Sequence, residues 1–362
     1  MSKVFWADAK TTPKRNMFRK ILDLLDRSRI SKSIAKGSLV AVKVHFGEVG
    51  NTSYVRPIYL RPIVERIREL GGRPFLTDST TLYSGSRSDA VNHLETAIMH
   101  GFSYPTVPCP VIIADGLRGL DGVRVQVDGE ILKEASIARA IFDADFLFVV
   151  THFKGHELTG FGGALKNLGM GCATREGKLA QHTSISPRVR PEACKGCMVC
   201  YETCPAKAIE MKDGKASIES ERCMGCAQCV AFCPNGAISV EFNEASDRFQ
   251  KKMVEYAKAA LSNKKGRVVF MNFLTDVTPH CDCWPGSGPP FCGDIGILCS
   301  SDPVAIDMAS YDLVNKESAT WLKATPGEDK WRLLYPKVDP KIQLLHAERL
   351  GLGERCYELV KI

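Results

Sequence analysis

The sequence has no long hydrophobic run. The longest, Phe146 to Val150, is five residues, against the roughly 20 that a helix needs to cross a bilayer core. The start, Met-Ser-Lys-Val-Phe-Trp-Ala-Asp, lacks the basic flank and apolar stretch of a secretory signal. These absences predict a soluble, cytoplasmic protein with no membrane span. Dense Lys/Arg clusters with interleaved aromatics are also missing and the net charge of +7 is mild, so nucleic acid is not an expected partner. Lys264-Lys265-Gly266-Arg267 reads as the solvated end of a helix. Neither Walker spacing nor G-x-G-x-x-G occurs in the glycine-rich segment after Thr151, which removes the two commonest phosphate loops.

Cysteine is what the chain has in abundance, fifteen among 362 residues. In a reducing compartment so many thiols belong to metal chemistry. Eight of them fall in two runs, Cys194-x2-Cys197-x2-Cys200-x3-Cys204-Pro205 and Cys223-x2-Cys226-x2-Cys229-x3-Cys233-Pro234. Two-residue gaps let three sulfurs converge, while the fourth, ahead of proline, reaches across to the other set. Cys194, Cys197, Cys200 and Cys233 are therefore expected to hold one [4Fe-4S] cluster, and Cys223, Cys226, Cys229 and Cys204 the other. Zinc would favour separated Cys-x2-Cys pairs, and a disulfide knot would need an oxidising compartment.

The two runs repeat at a period of 29, Cys194 onto Cys223, and Pro205-Ala-Lys-Ala-Ile209 echoes Pro234-Asn-Gly-Ala-Ile238. Asp213-Gly214 is a hairpin signal, so each half reads as ligand loop, short helix and strand. Over these residues the chain resembles the two-cluster bacterial ferredoxins.

Around this unit the pattern alternates between strand and helix. Helices are predicted over Met17 to Arg29, Arg56 to Leu70, Ser88 to His100 and Ala135 to Phe142. Strands are predicted over Leu39 to Phe46, Pro74 to Thr77 and Val111 to Ala114. A hairpin of Val123 to Val127 with Ile131 to Leu132 turns at Asp128-Gly129. Asp145 to Thr151 reads as a central strand buried on both faces. The pattern resumes with a helix from a capping Ser246 to about Leu261, strands Arg267 to Phe273 and Asp294 to Leu298, and helices Asp302 to Asn315 and Pro340 to Leu350. The expected fold is α/β: an open sheet with helices on both faces, built from both ends of the chain (1–186 and 244–362), with an inserted α+β ferredoxin-like two-cluster domain at 187–243.

Ligands of open α/β sheets sit beyond the carboxyl ends of the strands. Those ends carry Lys43, His45 and Glu48; Thr77, Asp78 and Ser79; Thr151, His152, Lys154 and His156; Asp276 and His280; and Ser300, Ser301 and Asp302. Singly each could be a cap or a solvated loop, but together they argue for a pocket. The segment from Thr151 to Gly171 holds Gly160, Gly162 and Gly163 with His156 and Lys166, and is read as a loop whose amides could crowd an anion or flat cofactor. The bland alternative is a glycine-rich turn.

The whole chain resembles the DUF362 family of uncharacterised iron-sulfur proteins. The resemblance rests on Lys43-Val-His45-Phe-Gly47-Glu48, the His156 to Gly171 segment, Pro279-His-Cys281-Asp-Cys283, and Asp294 to Asp307. The glycine segment also looks like one in nickel-dependent lactate racemase. His156 is followed ten residues on by Lys166 and sixteen further by His182. That likeness implies Lys166 as anchor of a lysine-linked nucleotide cofactor, His182 facing a metal, and His156 as acid or base.

Four further thiols, Cys281, Cys283, Cys292 and Cys299, lie within nineteen residues. Cys-Asp-Cys on an extended chain puts two sulfurs on one side, able to grip an additional metal or cluster, although buried unligated cysteines are the plainer reading. Paired clusters pass single electrons, so an iron-sulfur oxidoreductase is expected. In it His45, His152 or His156 would handle protons, Lys166 would bind an anionic small-molecule substrate or cofactor, and a redox partner protein would exchange electrons. The alternatives are an electron carrier or assembly factor docking a protein, and a racemase-like isomerase.

Overall fold

The computed structural model describes residues 1–28, 34–183 and 185–362. In chain order it builds β1 (Ser2–Asp8), α1 (Met17–Arg27), β2 (Leu39–Lys43), a 3-10 turn at Pro57–Tyr59, α2 (Leu60–Glu69), β3 (Arg73–Asp78) and α3 (Ala90–Met99). Next come β4 (Val111–Ile113), β5 (Gly122–Gln126), β6 (Glu134–Ala138), α4 (Arg139–Asp143), β7 (Phe146–His152), β8 (Lys154–His156), β9 (Gly160–Gly162), α5 (Ala164–Gly169) and α6 (Arg175–His182). The cysteine-bearing segment has β10 (Arg188–Val189), α7 (Val199–Glu202), β11 (Ile209–Lys212), β12 (Lys215–Ile218), α8 (Gln228–Phe232) and β13 (Ile238–Ser239). The chain ends with α9 (Ser246–Leu261), β14 (Val268–Leu274), β15 (Gly296–Ser300), α10 (Pro303–Lys316), α11 (Lys330–Leu334), α12 (Ile342–Arg349) and β16 (Tyr357–Lys361).

One eight-stranded sheet runs β16-β1-β15-β14-β7-β2-β3-β4. Strands from before and after the cysteine segment lie side by side, β14 pairing with β7 in parallel, so the sheet is built from both ends of the chain. Alternation along β7 separates two cores. Leu147 and Val149 pack with α5, α9, α10 and α12 on one face, and Phe146, Phe148 and Val150 with α1 and α2 on the other. Every residue of β7 is buried, as its apolar run requires. The strands of residues 187–243 join no large sheet and form two-stranded ladders of their own, β10 with β13 and β11 with β12. Among the described residues no helix is long and apolar enough to cross a membrane.

Several expectations are corrected. Ala135 to Ala138 is strand, paired antiparallel with Gly122 to Val125, and only Arg139–Asp143 is helical. Ile131 and Leu132 cannot be the returning arm, because their amides donate to the Glu255 carboxylate at 3.0 and 2.7 Å. Ser246 is the first helical residue rather than the cap, and its hydroxyl donates to Leu158 O at 2.9 Å. The segment after Thr151 is no loop but a hairpin of β8 and β9 followed by α5. β15 runs antiparallel to β14 and β1, which puts Ser300, Ser301 and Asp302 at the opposite sheet edge from the other strand ends. The Arg29 end expected for the first helix lies outside the described residues. The unexpected elements include β1, β16, α6 and α11.

Candidate functional site

Three features lie together. The first two are cavities in the cysteine segment. One is lined by Cys194, Cys197, Cys200 and Cys233. The other is lined by Cys204, Cys223, Cys226 and Cys229. Each thus takes three thiols from one run and the last thiol of the other.

The duplication extends to the backbone. Gly196 and Gly225, Met198 and Ala227, and Lys207 and Gly236 all have positive φ, each pair 29 residues apart. Left-handed geometry at Met198 and Ala227 is costly for side-chain-bearing residues, and it sits where the chain must curl between consecutive cysteines. The amides of Ala208 and Ala237, again 29 apart, donate to the sulfurs of Cys204 at 3.3 Å and Cys233 at 3.2 Å. Amides of Ala216 and Gly196 lower the Cys194 thiol below its usual range. Burial, with Cys226 and Cys223 adding to it, pushes Cys229 up to about 12. Crowded thiols of this kind become thiolates readily only beside positive charge, and each set of four sulfur donors fits the ligand requirement of a four-iron cubane. No three His, Cys, Asp or Glu side chains among the described residues converge on a single-ion position.

The third feature is a polar cavity of about 720 Å³, open to solvent, at the carboxyl edge of the sheet. It is lined by His45 and Glu48 after β2, Asp78 and Ser79 at the end of β3, and Arg87 from the next loop. His152, Lys154 and His156 follow from β7 and β8, Lys166 from α5, Lys178 and His182 from α6, and Cys283 from the loop after β14. Three of the four parallel strand ends therefore meet as the sequence implied. Asp276 instead pairs with Arg56 at 3.0 Å, and His280 is exposed.

Charge in the wall is mostly paired. Lys43 and Asp78 lie 2.9 Å apart, Arg87 and Glu48 3.2 Å, and Lys154 and Asp282 3.3 Å. Lys166 donates to Cys281 Sγ at 3.3 Å, and that sulfur holds its ammonium above the usual range against burial. A hydrogen bond from Cys283, with Lys166 and Lys154 beyond it, holds Cys281 well below the ordinary thiol range despite burial. Lys178 donates to Ser79 Oγ and Ala173 O, both at 2.6 Å, and burial pushes its amine down to about 8.

The histidines differ in freedom. His152 is fully engaged, Nδ1 lying 2.7 Å from Asp282 and Nε2 3.0 Å from Thr275 O. His156 Nδ1 accepts from the Leu158 amide at 3.3 Å, and His45 Nδ1 from the Gly47 amide at 3.0 Å, which leaves Nε2 as the protonated nitrogen of each neutral ring. Burial, then the nearby Arg87 for His45 and Lys166 for His156, keeps both rings well below their usual range. His182 packs between Phe242 and Phe249, with ring centroids at 4.7 and 4.8 Å. Its Nδ1 has no hydrogen-bond partner among the described residues.

Gly160, Gly162 and Gly163 are buried and none of them lines this cavity. A Cβ on Gly163 would stand 2.3 Å from Asp307 Oδ1, and the Asp307 carboxylate accepts the amides of Ala164 and Leu165 at 2.7 and 2.9 Å. Cys292 and Cys299 lie apart in the two cores, so the four leftover thiols do not assemble. Sequence reasoning missed Lys178, Tyr83 and Arg87. The available signal for Lys178 was its spacing of four from His182 in a segment begun by Thr174, which caps α6 through Gly177 N.

An open α/β sheet with a polar cavity at its carboxyl edge, joined to a segment with two four-thiol cavities, defines the class. The chain matches the model of the family described as "Domain of unknown function (DUF362)" over residues 40–312 and belongs to that family. No curated protein matches it. The solved structures similar to it include the lactate racemase apoprotein from Thermoanaerobacterium thermosaccharolyticum, at 12% identity and TM-score 0.38, covering 76% of this chain and 51% of that one. A protein from Thermotoga maritima is similar at 12% identity and TM-score 0.37, covering 74% and 51%. The chain spans about half the length of either, and at that level of likeness no chemistry passes from them to it.

Proposed function

We propose that the protein is an iron-sulfur oxidoreductase. Residues 187–243 act as an inserted unit binding two [4Fe-4S] clusters, and electrons pass between them and an anionic small molecule in the cavity. The observation that carries this reading is the division of eight cysteines into two four-thiol cavities, each completed from the other run. The clusters would supply one-electron transfer. The chain's own residues supply the rest. Leu82 lines the polar cavity and packs with Leu179 and Ala227, and Ala227 lies between Cys226 and Cys229 in sequence. The second thiol set and the cavity therefore share a wall.

Lys166, Lys178, Lys154 and Arg87 face an anionic group from several sides, with donor geometry suited to carboxylate or phosphate. His156 or His45, each with a protonated Nε2 on a neutral ring, donates a hydrogen bond to the bound molecule. Lys178, down at about 8, takes or gives a proton near neutral pH. A cavity of this size favours a bound molecule over the docking-only carrier, whose pocket should be shallow. A soluble one-electron carrier protein is the expected redox partner.

Metal and sulfide analysis with EPR on protein purified without oxygen tests the reading. The expected content is about eight irons and eight sulfides per chain. Zinc in their place, or no sulfide, overturns it. A second reading, a lysine-anchored metal cofactor, draws on His156, Lys166 and His182 lining one cavity and on the partnerless His182 Nδ1. Mass spectrometry showing unmodified Lys166 in protein from its native host removes it.

A further inference from the structure

The cavity wall holds a pair of thiols for which simple electron relay has no use. Cys281 and Cys283 flank Asp282 in a turn closed by the Trp284 amide on Cys281 O at 2.9 Å. That turn is pinned from three directions. The buried Asp282 carboxylate lies 2.7 Å from His152 Nδ1 and 3.3 Å from Lys154 Nζ. The Asp282 carbonyl accepts the Glu48 amide at 2.9 Å, and the Cys283 carbonyl lies 3.0 Å from the Tyr83 hydroxyl. With Asp282 turned inward, its two neighbours are left with little freedom. Cys281 is buried beneath the Lys166 ammonium at 3.3 Å, while Cys283 is half-buried and lines the cavity.

We propose that Cys281 and Cys283 form a redox-active dithiol that gathers single electrons into pairs at the cavity. This rests on the cluster reading for its source of electrons. In reduction the S–S bond breaks as two electrons and one proton enter: Cys283 leaves as a thiol and Cys281 as a thiolate beside Lys166. Each electron comes from a [4Fe-4S] centre that is oxidised by one unit, replenished by a one-electron carrier. In the reverse sense the dithiol gives its electron pair to an anionic two-electron acceptor held by Lys166 and Lys178, and the disulfide re-forms with release of that proton. A bridge across one residue closes so short a loop that it adds little by chain entropy, and exposed or strained bridges are the readily reduced ones. The pair is thus suited to turnover more than to holding the fold.

The test is a thiol titration of the full, cluster-loaded chain. Anaerobic protein is equilibrated in dithiothreitol redox buffers, quenched with an alkylating reagent, and digested for mass spectrometry. The peptide holding both residues should change in one two-electron transition from a doubly alkylated form to an unalkylated form lighter by two hydrogens than the dithiol. Cys283→Ser should leave Cys281 alkylated at every potential. Lys166→Gln should move the midpoint to more negative values, because the ammonium stabilises the reduced thiolate. Double alkylation of the wild type at all potentials overturns the proposal. Iron and EPR measured on the same samples separate the two readings: clusters without a disulfide sink this inference alone, and a disulfide without iron sinks the electron source and the cluster reading with it.

Discussion

Lys43→Met makes the strictest test of the cavity wall. Lys43 ends β2, is 0% exposed, and places Nζ 2.9 Å from Asp78 Oδ1 and 2.7 Å from Asn167 Oδ1. Methionine keeps the length of the side chain and removes the charge. Asp78, 2% exposed, then keeps the Ser79 amide at 2.9 Å and, as its nearest cation, Arg87 at 3.7 Å, a guanidinium already shared with Glu48. Leaving a buried ion unpaired costs about 3–5 kcal/mol, and the residual pull of Arg87 argues for the lower end. The Asn167 carbonyl loses its donor as well, adding roughly 1 kcal/mol, for a loss of about 4 kcal/mol at pH 7.

The pH dependence has a definite sign. Burial raises Asp78, but Lys43 and Arg87 outweigh it and hold the carboxyl below its usual range. Its stabilisation is therefore complete above the unfolded value of about 3.9 and lost as pH falls through the lower folded value. In the variant Asp78 moves up and protonates sooner, which relieves the buried charge. The gap between wild type and variant should be widest at neutral pH and shrink in acid. Urea unfolding followed by fluorescence of the fully buried Trp331 measures it. A loss below ~1 kcal/mol at neutral pH, or a gap that widens on acidification, would refute the argument.

Three further outcomes are expected. Cys204→Ser with Cys223→Ser strikes one thiol set and should leave about four irons, whereas Cys204→Ser with Cys194→Ser strikes both and should leave almost none; equal iron in the two variants removes the crossed ligation. His93 is buried with both ring nitrogens unpartnered, and burial brings it down to about 3. The unfolded chain protonates it first, so stability should fall by up to about 2 kcal/mol between pH 6.5 and 5, and His93→Leu should flatten that slope in denaturant titrations. Gly163→Ala forces a methyl against Asp307 and should cost about 1–3 kcal/mol in thermal melts; unchanged stability with altered ligand binding would instead assign the glycine to a cofactor.

The sheet and its carboxyl edge were legible because they depend on local pattern. Phe146 to Val150 could only be a doubly covered strand, and Lys43, Asp78 and His152 fall at strand ends whatever the neighbours. The grouping of the eight cysteines into two sets was legible because their spacing is itself local. What escaped depended on contacts distant in sequence. Ala135 to Ala138 has the composition of a helix but is taken by pairing with Gly122 to Val125, and cross-strand pairing overrides a weak propensity. The glycines at 160 to 163 resembled a ligand cradle, yet Gly160 admits Pro340 and Gly163 admits Asp307, both over 140 residues on. β1 and β16 carry few signals of their own; β1 is recruited by β15 and in turn takes β16 as the edge strand, in parallel register from Ser2↔Tyr357 to Trp6↔Lys361.

Where the cysteine segment enters the chain matters as much as what it carries. His182 closes α6 just before it and Phe242 follows its last strand, and the two rings meet at 4.7 Å while both line the polar cavity. Behind them Thr183 Oγ1 donates to Asn243 Oδ1 at 2.8 Å, and the Glu244 amide to His182 O at 3.2 Å. Because its ends touch, a long insert here asks little of the host: loop-closure entropy grows only logarithmically with length, and α6 and α9 keep their places against the sheet. The residues that close the insert also form the cavity wall, so the second thiol set comes to lie behind Leu82 and Leu179 without any added linker. The same unit spliced between β15 and α10, where Asp302 marks the opposite edge of the sheet, would leave its thiols remote from Lys166, Lys178 and the histidines.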